Sequence, residues 1–184
     1  MRKWMSLAVL AMFGALATAD DKKGTVVEVS GLKATAPAGW KEEKPTNQMR
    51  LTQFKLEKEK GDSEDAELVV FSLPGGGGVE ANLKRQINTF KIPEGLKKED
   101  AIKEDDVKVG GFKGKYQLLK GSYQFKAAPF DPNSKVTEKE KFAQLYVIYE
   151  DDDKKSISFR VVGPEKTIEK HKKDFEEFIK SFKK

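Results

Sequence analysis

Residues 68–90 read LVVFSLPGGGGVEANLKRQINTF, and the hydrophobic period changes partway along. Leu68 to Leu73 is nearly continuous apolar and β-branched sequence, the pattern of a central strand buried on both faces. Pro74 and four glycines, Gly75 to Gly78, interrupt it. Val79, Leu83, Ile87 and Phe90 then recur at spacings of four, four and three, which places one apolar stripe along a helix. Pro93 and Gly95 end that helix. A buried strand, a turn and an amphipathic helix predict a sheet with a helix laid against it.

The flanking sequence extends this pattern. Upstream, Thr25–Val29 and Leu32–Pro37 read as short extended pieces, and Met49–Leu56 as a strand with Thr52, Phe54 and Leu56 on one side. Downstream, Lys97–Asp106 reads as a charged connector. Val107–Val109 and Phe112–Tyr123 read as strands about a Gly110-Gly111 turn. Gln124–Lys141 is polar, carries Pro129 and Pro132, and reads as a long loop. Leu145–Tyr149 and Ile157–Val161 form a hairpin over the charged run 151–155. Gly163-Pro164-Glu165 opens a last helix, because Pro suits the first helical position and Glu the positive end of the dipole. Its stripe is Ile168, His171, Phe175, Phe178 and Phe182, with Ile179 beside it. The expected class is α+β, an antiparallel sheet of about seven strands flanked by two main helices.

The first residues have a separate meaning. Arg2 and Lys3 precede an apolar run from Met5 to Ala17, and Ala17-Thr18-Ala19 follows as a small-x-small site. That is the pattern of a signal peptide cleaved after Ala19. The run falls short of the roughly 20 apolar residues that span a bilayer. The expected organisation is a leader at 1–19, an N-terminal segment with a short strand at 20–32, and one α+β domain at 33–184, periplasmic or extracellular, with no membrane span after cleavage.

Composition narrows the function classes. The chain has 184 residues and a formal net charge of +5, which loss of Arg2 and Lys3 lowers to +3. The remaining cations are lysines apart from Arg50, Arg85 and Arg160, and they alternate with Asp and Glu. Nucleic-acid sites favour the planar fork of arginine, so nucleic acid is not an expected partner. There is no cysteine. Thiol catalysis, cysteine zinc sites and disulfide stapling are therefore excluded, and stability must come from the core.

The order of elements resembles the PsbP-like α/β/α sandwich shared by the photosystem extrinsic protein, the Ran-binding Mog family and several exported bacterial proteins. Three motifs, Gly75 to Asn82, Lys120-Gly121-Ser122-Tyr123 and Val162 to Thr167, resemble more closely uncharacterised exported proteins of planctomycete-type bacteria. The resemblance runs from about Lys33 to the C-terminus. Its motifs are structural, and it implies binding or assembly rather than catalysis.

Four features are candidate sites. Gly75, Gly76, Gly77 and Gly78 precede a helix, where free N–H groups and the dipole suit an anion. They lack the Lys-Ser/Thr of a nucleotide loop, and a flexible turn needing positive φ is the competing reading. Glu150, Asp151, Asp152 and Asp153 offer oxygens for calcium, but consecutive carboxylates on a hairpin tip diverge, so no metal is expected. His171 is the single histidine and sits on an apolar stripe without a partner for acid–base work. The long loop carries Phe125, Pro129, Phe130 and Pro132, a composition suited to a protein partner or to capping a sheet edge. No catalytic residues or cofactors are expected. The leading expectation is a non-catalytic binding or accessory protein of the cell envelope. A binder of a small apolar ligand between sheet and helix is the second, and a carboxylate-based hydrolase the third.

Overall fold

The computed structural model describes residues 24–128, 131 and 133–184. The leader at 1–19, Pro129, Phe130 and Pro132 lie outside the described residues. In chain order the elements are β1 (Val26–Val29), β2 (Leu32–Thr35), β3 (Lys41–Glu43), β4 (Arg50–Leu56), β5 (Ala66–Pro74), α1 (Gly78–Ile87), β6 (Phe90–Lys91), α2 (Lys98–Ala101), β7 (Ile102–Val109), β8 (Phe112–Lys126), β9 (Val136–Glu150), β10 (Lys155–Pro164) and α3 (Glu165–Ser181). The main sheet is antiparallel with order β3-β4-β5-β10-β9-β8-β6, and β7 pairs with β8 alongside β6. β1 and β2 form a separate hairpin.

Alternation along β9 explains the layers. Leu145, Val147 and Tyr149 belong to the main core with Ile168, Phe175, Phe178 and Ile179 of α3. Tyr146 and Ile148 pack with Leu83 of α1. Successive strand side chains point to opposite faces, so α3 and α1 lie on opposite sides of the sheet. The expected α+β class is the one observed, with eight strands in the main sheet. Of the run Leu68 to Leu73, expected to be buried on both faces, Leu68-Val69-Val70 is fully buried in the interior of the sheet, while Phe71, Ser72 and Leu73 are half-buried.

The α3 stripe supplies much of the core. Phe178 sits edge-on to Trp40 at 5.4 Å, Phe159 at 6.2 Å and Phe182 at 5.0 Å between centroids. Burying each such ring contributes about 1.5–3 kcal/mol from area alone. Val27, Val29 and Leu32 of the β1–β2 hairpin join the same cluster, and Lys33 exchanges two backbone hydrogen bonds with Lys183 beyond α3.

Several sequence expectations are corrected. The first helix ends at Ile87, and Phe90 starts β6, where it packs on Tyr123 at 5.4 Å. The Thr89 carbonyl accepts from Gln124 N–H, so sheet pairing wins over continuing the helix. The supposed connector 97–106 holds α2 and most of β7. β7 is an edge strand whose acidic and basic side chains stand in solvent, which removes the apolar alternation that marks a strand. β3 is short, polar and likewise at an edge. Thr52, Phe54 and Leu56 do alternate along one side of β4 as expected, Thr52 half-buried and the other two fully buried, past a bulge between Arg50 and Thr52. The long loop shrinks to 127–135, because β8 continues to Lys126 and β9 begins at Val136.

Candidate functional site

The continuation of β8 and β9 past the sheet depends on one glycine. Gly121 lies at φ 148°, and a side chain there would meet the Lys91 carbonyl at 2.5 Å. The register shifts between Gly121 and Tyr123, and pairing then resumes, Tyr123 opposite Lys139, Phe125 opposite Thr137 and Lys126 opposite Val136. The bulge lets the two strands bend and project as a hairpin arm.

Aromatic rings run along this arm. Tyr123 lies 5.4 Å from Phe90, 6.3 Å from Phe125 and 6.2 Å from Phe142, in the last case with nearly parallel planes. The Lys139 ammonium stands 4.9 Å from the Phe125 centroid and 5.4 Å from that of Phe142, and it also pairs with Glu64. Cation–π contact and ion pair together hold an arm that has little core beneath it. Phe125 (37% exposed) and Val136 (42%) remain open to solvent near its end. Phe125 is thus a strand residue and not a loop residue. Pro129, Phe130 and Pro132 of the expected recognition loop lie outside the described residues. Within the loop, Asp131 N–H donates to the Ala128 carbonyl and Asn133 N–H to the Asp131 carboxylate.

The glycine turn is tied down by a side chain that the sequence reading passed over. Buried Asn82 donates from Nδ2 to the carbonyls of Gly76 (2.8 Å) and Gly78 (2.7 Å), and its Oδ1 accepts from Arg85 (2.6 Å). Gly75, Gly77 and Gly78 all have positive φ, which an L side chain resists. These bonds give the four glycines a structural role at the start of α1.

The acidic run 150–153 is divided by burial. Asp151 is 8% exposed, while Glu150, Asp152 and Asp153 are exposed. Its Oδ1 accepts from the N–H groups of Asp153 (3.0 Å) and Lys155 (2.9 Å), and its Oδ2 from Ser30 Oγ (2.8 Å). Burial alone would raise its pKa, but the Ser30 hydroxyl and the two amides outweigh it and hold the carboxyl below its ordinary value. Among the described residues no group of three or more His, Asp or Glu side chains is gathered as a metal site. His171 is 7% exposed, and its Nε2–H donates to the Glu57 carbonyl at 2.9 Å, tying α3 to the end of β4.

One cleft lies between the sheet and α3. It measures about 190 Å³. Buried Val147, Phe175 and Ile179 line its depth, half-buried Tyr116 its wall, and Asp105 and Glu176 its mouth. Tyr116 Oη is shut off from solvent, with the Glu176 carboxylate beside it. Burial, then the Glu176 carboxylate, pushes this hydroxyl well above its ordinary pKa. A site between sheet and helix was among the expectations, but the residues of this cleft and Lys139 were not singled out from sequence. The available signal was weak: Tyr116 alternates with Leu118, and Phe175 and Ile179 stand four apart on one helix face.

No family model matches the sequence, and no curated protein matches it by sequence. Solved structures do resemble it in arrangement. The cyanobacterial PsbP protein of Synechocystis is 14% identical, with 92% of this chain and 97% of that chain covered and a TM-score of 0.49. The Ran-binding protein Mog1p of Saccharomyces cerevisiae is 12% identical over 88% of this chain and 95% of its own, TM-score 0.47. LpqN of Mycobacterium tuberculosis, described as involved in cell envelope biogenesis, is 12% identical over 88% of this chain and 86% of its own, TM-score 0.44. Among the described residues no helix is long and apolar enough to cross a membrane.

Proposed function

We propose that this chain is an exported, non-catalytic binding or accessory protein of the cell envelope, and that the β8–β9 arm is the surface it offers to a protein partner. The observation that supports this reading is the aromatic arm itself. Rings from Phe90, Tyr123, Phe125 and Phe142 adjoin at the sheet end, Lys139 lies over those of Phe125 and Phe142, and Phe125 and Val136 are uncovered. Aromatic side chains are enriched in the cores of protein interfaces. The leader at 1–19 supports export to the periplasm or beyond. The closer kinship with exported proteins of planctomycete-type bacteria is part of the same proposal and rests on the three motifs quoted above. The test is co-purification from envelope extract with wild type, Phe125→Ser, and a variant in which 127–135 is replaced by Asn-Gly. One stoichiometric partner, lost in both variants, is expected. Equal recovery in all three would refute the assignment.

A second reading, a binder of a small apolar ligand between sheet and helix, is favoured by the cleft beside Tyr116 and Phe175. At about 190 Å³ it is smaller than the pockets of roughly 300 Å³ and above that hold drug-sized ligands. Only a compact ligand fits.

A further inference from the structure

The arginines are few and unevenly matched with charge. Beyond the leader there are three, Arg50, Arg85 and Arg160, in a sequence with 30 Asp and Glu residues. Arg50 is occupied, since its guanidinium donates to Gln53 and to Glu67, both at 2.7 Å. Arg85 and Arg160 take part in no ion pair found among the described residues. These two stand on one side of the sheet. Arg160 of β10 lies directly opposite Tyr146 of β9, and directly opposed residues of an antiparallel pair share a face. Tyr146 packs with Leu83 of α1, the helix that also carries Arg85.

Each guanidinium is held in place. That of half-buried Arg160 lies 5.6 Å from the centroid of the Phe71 ring. Exposed Arg85 donates to Asn82 Oδ1 at 2.6 Å, and Asn82 is itself fixed by the Gly76 and Gly78 carbonyls. Burial pushes the Tyr146 hydroxyl above its ordinary pKa, and the charges that act against this shift are Arg160 and Arg85. Glu150, beside Gly78 at the start of α1, is not among the groups that act on it.

We propose that Arg85 and Arg160 form a binding site for a phosphate group, held between the two guanidinium forks on the α1 side of the sheet. The site is separate from the β8–β9 arm and does not depend on the protein-partner reading. Two cations fixed on one face without a counter-ion repel each other, and a bound anion relieves that repulsion. The forks set the ligand class. Each guanidinium offers parallel N–H donors, and the oxygens of a phosphate accept from two forks at once, whereas one fork fills both oxygens of a carboxylate. Because Phe71 and Asn82 already hold the two side chains, little rotamer freedom is lost when the anion binds.

The test is an NMR titration of residues 20–184, which hold every element described, following the arginine Nε–Hε signals. Three such signals are present, and Arg50 is the internal control. Inorganic phosphate, glycerol 3-phosphate, acetate and chloride are compared at equal ionic strength. Saturable shifts of Arg85 and Arg160 with the two phosphates are expected, with Arg50 unmoved and weaker effects from acetate and chloride. Equal affinity for the two phosphates would assign free phosphate, and tighter binding of the ester a phosphorylated molecule. Arg85→Lys and Arg160→Lys keep the charge and lose the fork, so affinity should fall about five- to tenfold in each, with the Leu119 methyl resonances in place. Equal shifts of all three arginines, or the same response to chloride as to phosphate, would show screening without a site and overturn the proposal. Undiminished affinity in both lysine variants would overturn it as well.

Discussion

The carboxylate of Asp62 accepts hydrogen bonds from both the backbone N–H (2.8 Å) and the hydroxyl (2.6 Å) of Thr167. Thr167 is fully buried in the first turn of α3, and its Oγ1 in turn accepts from the Glu59 N–H at 3.0 Å. Pro164, at the N-cap, makes no side-chain cap bond. The loop between β4 and β5 thus caps the helix from outside, adding a negative charge at the positive end of its dipole. Asp62→Ala should lower stability by about 1–2 kcal/mol, seen as a lower midpoint in urea with an unchanged slope. Asp62→Asn should lose less, since the amide oxygen still accepts.

Asp151 makes stability depend on acid. Its folded pKa lies below the unfolded value, with burial opposing the shift and the Ser30 hydroxyl and the Lys155 and Asp153 amides producing it. The stabilisation is present above the unfolded pKa and is lost as pH falls through the folded one. Denaturation midpoints of wild type should therefore drop below about pH 4, and Asp151→Asn should show a shallower drop in that window. Ser30→Ala should move in the same direction by a smaller amount. An identical acid profile in Asp151→Asn would contradict the assignment.

Asn82→Ala removes the donor from the Gly76 and Gly78 carbonyls and leaves Arg85 without its acceptor. A loss of about 1–3 kcal/mol is expected, together with faster amide exchange at Gly77 and Gly78. Exchange unchanged at both glycines would show that the turn holds its shape without Asn82.

What the sequence made legible follows burial. Leu68 to Val70 is continuously apolar and buried on both faces, and the stripe Ile168 to Phe178 faces the core on a helical period, so their hydrophobic pattern reports their structure. β7 and the outer halves of β8 and β9 are solvated on much of both faces. Glu104, Asp106, Glu138 and Lys139 then carry no period, and strands read as connector and loop. Glycine positions were visible, but not that Asn82 would bind the carbonyls between them. The candidate site was legible in part: Phe125 lies at the predicted aromatic end, whereas Lys139 joins it only through cross-strand pairing and Glu64 through tertiary contact. The Tyr116 cleft unites β7, β8, β9 and α3, and no local pattern encodes such a meeting.

The central claim is that the β8–β9 arm meets a protein partner in the envelope. Its most direct measurement is photo-crosslinking in living cells, with a photoreactive residue placed at position 136 on the arm or at position 108 on the opposite part of the β7–β8 pair. The account predicts one discrete crosslinked species from position 136, none from 108, and loss of the former when Phe125→Ser is added. Crosslinks of equal yield from both positions, or from neither, would contradict it.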